Sequence, residues 1–239
     1  MNNVQISDNE KSLTEFTLKM SALIDTGVSI IRSLYILEKD LPRPIADVAG
    51  DMKQRIMDGA NLSDAMTAHS EIFSSFYVKM IHVGEIGGIL EDSFRYLAEF
   101  LEEGWKIRQL TGQQAEWQWM LTPANRQIPD DWTELTEQQK IIISMMFCRS
   151  LGMMLTAGVP ANLSMEVAAD LLPSIQREQV QALSKCVIDQ QMVSAFADMG
   201  IINDFAAGIL KVGEASGLLN ITLEKVALAY ERLLISGIV

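Results

Sequence analysis

Apolar residues in the first hundred positions recur at helical spacing. Leu13, Phe16, Met20, Leu23 and Ile24 fall on one side of a helix, and Ile30, Leu34 and Leu37 mark a second. Ile45, Val48, Met52 and Ile56 mark a third. Phe76, Met80 and Val83 mark another, ahead of a long helix expected from about Ile89 to Leu110. The punctuation agrees with the period. Ser12-Leu13-Thr14-Glu15 has capping-box spacing and predicts a helix start there, and Gly27 supplies the permissive backbone to end it. Ser29 can cap the next helix, which Pro42 and Pro44 close off. Gly59 stops the third, and Asn61 or Ser63 opens a short helix through Ala65 and Met66.

The second half of the chain repeats this plan. Val83-Gly84-Glu85-Ile86-Gly87-Gly88-Ile89-Leu90 returns as Val212-Gly213-Glu214-Ala215-Ser216-Gly217-Leu218-Leu219. Downstream, Leu90, Phe94, Leu97, Ala98 and Leu101 correspond to Leu219, Leu223, Val226, Ala227 and Tyr230. Upstream, the helix from Phe16 into Thr26-Gly27-Val28 corresponds to the one from Phe147 into Ala157-Gly158-Val159. The offset is 131 at Gly27 and Gly158 and 129 at Gly84 and Gly213, a register that chance matches would not keep.

Thr136-Glu137-Gln138-Gln139 is a second capping-box spacing, followed by Ile141, Ile142, Met145, Cys148, Leu151, Met154 and Leu155. Val159-Pro160 suits the start of the next helix, and Pro173 precedes one bearing Val180, Leu183 and Val187. Ser194-Ala195-Phe196 aligns with Asp64-Ala65-Met66, although Asp189 stands where Gly59 would be expected. Asn203 can cap a helix bearing Phe205, Ile209 and Val212. These patterns predict an all-α chain: two tandem repeats of an antiparallel helical bundle, about six helices each, over 1–110 and 133–239. The connector 111–132 holds Gly112, Pro123, Pro129, Trp117, Trp119 and Trp132, with Trp105 just before it. Its tryptophans are expected to seal the joint between the domains, with an interfacial membrane contact as the alternative.

Length and composition narrow the picture. A chain of 239 residues accommodates two domains with their own cores, and 49% hydrophobic residues with only six prolines suit packed helices. Lys and Arg total 19 against 31 acids, a net charge of −12 that repels a phosphate backbone and argues against a nucleic-acid partner. The N-terminus lacks the basic and apolar regions of a signal peptide. The stretch nearest to a membrane span, Ile141 to Pro160, is interrupted by Ser144, Cys148, Arg149 and Ser150. Cys148 and Cys186 have no metal-ligand spacing and read as two reduced, buried thiols of a cytosolic chain.

Candidate chemistry is sparse. Glu85 and Glu214 are repeated carboxylates beside a glycine turn, placed to cap the helix that follows, with partner binding or a shared metal site as the alternative. His69 and His82 form no metal motif. Glu91, Asp92, Glu99, Glu102 and Glu103 read as a solvated face, or as a place for a hard cation or a basic partner. There is no phosphate-cradling loop, and no nucleophile with a motif-supported base. The sequence therefore predicts no enzyme and no cofactor, and leaves a bound metal open.

Three features together carry a resemblance: the aromatic-led helix into Thr/Ala-Gly-Val, Gly-x-x-Leu-Ser-x-Ala-Met at Gly59 to Met66, and the doubled Gly-Glu-x-x-Gly-x-Leu. The chain resembles the F domain family of type II secretion, the inner-membrane platform proteins of type II secretion and type IV pilus assembly. The likeness covers roughly residues 12–110 and 137–235. It implies a non-catalytic scaffold that couples an assembly ATPase to secretion or pilus assembly and meets other inner-membrane components. It also implies a place at the inner face of the bacterial inner membrane, with a homodimer among the arrangements allowed. Gly27, Gly84, Glu85, Gly88, Gly158, Gly213, Glu214 and Gly217 are the motif positions, structural or partner-binding. Family members carry membrane spans between and after the two copies, whereas this chain is expected to have none. A stand-alone soluble helical adaptor for another protein is the alternative.

Overall fold

The computed structural model of the chain describes residues 8–111, 130–186 and 192–236. Connector positions 112–129, with Trp117 and Trp119, lie outside the described residues, as do Val187, Asp189 and the side chain of Trp105. Among the described residues there are helices and turns and no strand. The chain divides into two compact units, Met1–Arg126 and Gln127–Val239.

Unit 1 contains α1 (Asp8–Asp25), α2 (Ile30–Asp40), α3 (Ile45–Met57), α4 (Leu62–Thr67), α5 (Ser75–Gly87) and α6 (Leu90–Thr111). Unit 2 contains α7 (Glu137–Thr156), α8 (Ala161–Ala168), α9 (Ser174–Lys185), α10 (Met192–Asp198), α11 (Asp204–Ser216) and α12 (Leu219–Ser236). Short 3-10 turns lie at Trp132–Glu134 and Ala169–Leu171. The principal packing partners correspond. α1 lies on α6, α2 on α3, and α5 on both α4 and α6; likewise α7 lies on α12, α8 on α9, and α11 on both α10 and α12.

Each core is built around the aromatic of the opening helix. In unit 1 the ring of Phe16 meets Phe73 edge-on with centroids 5.6 Å apart, and Phe73 meets Tyr77 at 5.2 Å. The buried Tyr77 hydroxyl is 2.9 Å from Thr17 Oγ1, and burial raises the pKa of the phenol. In unit 2 Phe147, the counterpart of Phe16, meets Phe196 at 5.0 Å and 83°. Leu34 and Leu37 of α2 become Met165 and Ala168 of α8, and all four are fully buried. Trp132 is buried within unit 2, its ring edge close to Gly200.

The capping signals divide. At Thr136 the box forms: Gln139 N–H donates to Thr136 Oγ1 at 3.3 Å, and Thr136 N–H donates to Gln139 Oε1 at 2.6 Å. At Ser12 the expectation fails, because α1 begins at Asp8 and carries Ser12 and Glu15 inside it. Nothing in Asp8 to Lys11 stops a helix, there being neither Gly nor Pro, so the helix extends a turn ahead of the box.

The helix expected behind Asn203 forms, with the Asn203 side chain accepting from Ala206 N–H at 2.9 Å, but it differs from α5 in what it buries, and one cysteine expectation is corrected. Phe205 and Val212 are 73% and 69% exposed, and α11 buries Ala206, Ala207, Leu210 and Gly213 instead. Their unit 1 counterparts Phe76 and Val83 are buried, with the Phe76 ring 6.0 Å from Phe100 and Phe100 6.0 Å from Tyr96. The matching positions in unit 2 hold Ala229 and Lys225, which offer no ring to stack on. Cys186 is exposed at the end of α9, where the chain leaves the helix; only Cys148 is buried, and burial pushes its thiol up to about 12. No helix among the described residues is long and apolar enough to cross a membrane.

Candidate functional site

The doubled Gly-Glu stretch separates into three devices. The first is the turn. α5 continues through Gly84, Glu85 and Ile86 to Gly87, so the bend expected over the whole stretch is confined to Gly88 and Ile89. Gly88 has φ +67° and Gly217 φ +70°, a left-handed conformation that costs an L side chain about 1 kcal/mol. The N–H of Ile89 donates to Gly84 O at 2.9 Å and that of Leu218 to Gly213 O at 2.8 Å, the Schellman pattern. Gly27 and Gly158 end α1 and α7 by the same pattern. There Val28 N–H donates to Leu23 O at 3.0 Å and Val159 N–H to Met154 O at 2.9 Å.

The second device is close approach. A Cβ on Gly84 would stand 2.6 Å from Ser93 Oγ and 3.1 Å from Leu90 Cα. On Gly213 it would stand 2.0 Å from Thr222 Oγ1 and 2.8 Å from Thr222 Cβ. Each glycine therefore sets how near the two helices of its hairpin can lie, a role that no spacing rule in the sequence announces.

The third device is the carboxylate. Glu85 reaches back to the start of α4, not forward to α6. Leu62 N–H donates to Oε1 at 2.6 Å, Ser63 N–H to Oε2 at 3.2 Å, and the Ser63 hydroxyl to Oε2 at 2.5 Å. The side chain of Asn61, at the N-cap, accepts from no amide of that first turn, so Glu85 satisfies amides the local cap leaves free. A carboxylate accepting them also meets the positive end of the helix and forms charge-assisted bonds. In unit 2, Glu214 Oε1 accepts from Val193 N–H at 3.3 Å. Val193 has no hydroxyl to add a further bond. Leu62 and Ser63 stand in the Gly59 to Met66 motif and Glu85 in the Gly-Glu motif, and their occurrence in one chain is the signal in the sequence for this contact.

The site does not support acyl-transfer chemistry. His82 Nδ1 is 3.3 Å from Ser63 Oγ, which suggests a relay by composition alone. The Ser63 hydroxyl, however, donates to Glu85 Oε2, so its proton points at the carboxylate, and whether Nδ1 donates to Ser63 Oγ is set by the imidazole tautomer. His69 Nε2 is 2.7 Å from Asp51 Oδ2, which also accepts from Arg55 Nε at 2.6 Å. Arg55 first and His69 second hold the Asp51 carboxyl below its ordinary value. On the acidic face of α6, Arg95 pairs with Asp92 and lies 3.8 Å from Glu91. Among the described residues, no three His, Cys, Asp or Glu side chains converge as metal ligands.

The family profile described as "Type II secretion system (T2SS), protein F" matches residues 16–116 and 147–236, more than half of the chain. The type IV pilus assembly protein PilC of Myxococcus xanthus is 29% identical over 99 residues, 41% of this chain and 24% of that protein. The type II secretion system protein F of Xanthomonas campestris pv. campestris is 36% identical over 93 residues, 38% of this chain and 23% of that protein. PilC of Thermus thermophilus is 28% identical over 99 residues, 41% of this chain and 24% of that protein. Each alignment spans about a quarter of the relative's length.

Proposed function

The chain belongs to the type II secretion system protein F family, and from that premise we propose that it is a helical platform of type II secretion or type IV pilus assembly. It binds an assembly ATPase and inner-membrane assembly proteins at the inner face of the bacterial inner membrane. Movement passes through its packed helices, and it performs no bond chemistry of its own. The modules 1–110 and 133–239 act as two binding bodies on the connector 111–132. The eight motif residues hold each module's shape and leave partner contacts to the outer faces.

The observation that carries this reading is the trio of devices repeated in the two units. Both units keep a left-handed glycine turn, a glycine contact within the hairpin and a carboxylate tied to the first turn of the fourth helix. All three devices tie each unit's own backbone together, and the Ser63 hydroxyl donating to Glu85 is one of those ties. The test is retention of purified type II and type IV assembly ATPases from the same organism on the immobilised chain. Retention of one of them is expected; retention of none would overturn the reading.

A further inference from the structure

The outer face of the α11/α12 hairpin carries apolar side chains that unit 2 does not use for its own packing. On α12, Ile221, Leu228 and Ile235 are 42%, 47% and 57% exposed and recur every seven residues, so they form one row along the helix. Phe205 and Val212 form a second seven-residue row on α11. In unit 1, Phe76 and Phe100 show that these two helices bring such positions together, and the Phe100 position in unit 2 is Ala229.

The internal repeat supplies a control that few single domains offer. The α6 positions matching Ile221, Leu228 and Ile235 are Asp92, Glu99 and Lys106, so the same helix in the same fold needs no apolar row there. Exposed apolar residues gathered on one face mark a contact surface. Between them stand Lys225 and Arg232, both exposed and neither in an ion pair or hydrogen bond among the described residues. They are uncommitted cations in a chain with a net charge of −12.

We propose that this face is a docking groove for an amphipathic helix of a partner protein, with apolar residues at heptad spacing bordered by Asp or Glu. Two antiparallel helices with matching rows leave a groove of the width and pitch that a third helix fills. The unpaired Lys225 and Arg232 select carboxylates on its flanks. The proposal goes beyond the platform reading, because it is argued from unit 2 alone.

The test uses the full chain and a fluorescein-labelled three-heptad peptide with Leu in the apolar row and Glu on both flanks. A twin carries Lys on the flanks, and vesicles of phosphatidylglycerol and phosphatidylcholine serve as a lipid probe. The Glu-flanked peptide is expected to bind about tenfold tighter than its twin. Leu228→Asp should abolish that binding, and the double variant Lys225→Glu, Arg232→Glu should reverse the preference, both with unchanged circular dichroism and melting. Equal affinity for the two peptides, no binding, or binding untouched by Leu228→Asp would overturn the proposal. So would stronger binding to vesicles than to peptide, or self-association that Leu228→Asp abolishes. None of these readouts involves an assembly ATPase, so failure here is separable from failure of the platform reading.

Discussion

Replacing Gly213 by Ala tests the close-approach device, because helix propensity and packing predict opposite signs. In an exposed helix interior, Gly→Ala stabilises by about 0.5–1 kcal/mol. At Gly213 the added methyl would fall 2.0 Å from Thr222 Oγ1, 2.7 Å from Thr222 Cγ2 and 2.8 Å from Thr222 Cβ. The hydroxyl can rotate away, but Cβ is fixed to the backbone, so α11 and α12 must part. Overpacking of this kind costs about 1–3 kcal/mol, and the fixed Cβ puts Gly213 towards the upper end, which leaves a net loss of up to about 2.5 kcal/mol after the propensity gain. Gly208 lies on the same helix, exposed, with nothing within 4 Å of an added Cβ. Urea unfolding followed by circular dichroism should therefore find Gly208→Ala more stable than the parent and Gly213→Ala less stable. Thr222→Ala should recover only part of the loss, since its Cβ remains. If Gly213→Ala were as stable as the parent, the interhelix distance would not depend on that glycine, and the reasoning would be refuted.

Three further outcomes follow from the same geometry. Glu85→Ala removes an acceptor of three bonds and should cost about 2 kcal/mol in urea, while Glu214→Ala, with one long bond among the described residues, should cost under about 1 kcal/mol. Equal losses would contradict the difference between the two sites. A thiol reagent should modify one cysteine, Cys186, in the folded chain and the second, Cys148, only after unfolding. Burial also raises Cys148 and Tyr230 to about 12 from ordinary values of 9.0 and 10.0. Both are neutral when protonated, so their contribution is complete below about pH 9 and is lost as pH rises towards 12. Urea midpoints should fall across that window, less steeply in Cys148→Ala; a flat profile would contradict it.

Much of the fold was legible because duplication printed it twice. The apolar stripes on α1, α3 and α5, the box at Thr136 and the glycines after α1, α3, α5, α7 and α11 all act within one turn of chain, where local rules hold. The errors lie where a distant element decides. Phe205 and Val212 repeat the pattern of Phe76 and Val83, yet they face outward because Tyr96 and Phe100 became Lys225 and Ala229 some twenty residues away. The place of Glu85 beside a helix start predicts a cap on that helix, but the amides it reaches lie 22 and 23 residues earlier. The place of Gly84 in the glycine stretch predicts a turn, whereas its lack of a side chain serves packing. Adjacency in sequence misdirected each of these readings, and only tertiary contact corrects them.

The central claim is that each repeat is locked by a carboxylate reaching back to the fourth helix. Residue-resolved amide hydrogen exchange on Glu85→Ala tests it most directly. The account predicts faster exchange at Leu62 and Ser63 with the amides at the start of α6 unchanged. Faster exchange at Leu90 to Ser93, with Leu62 and Ser63 still protected, would contradict it.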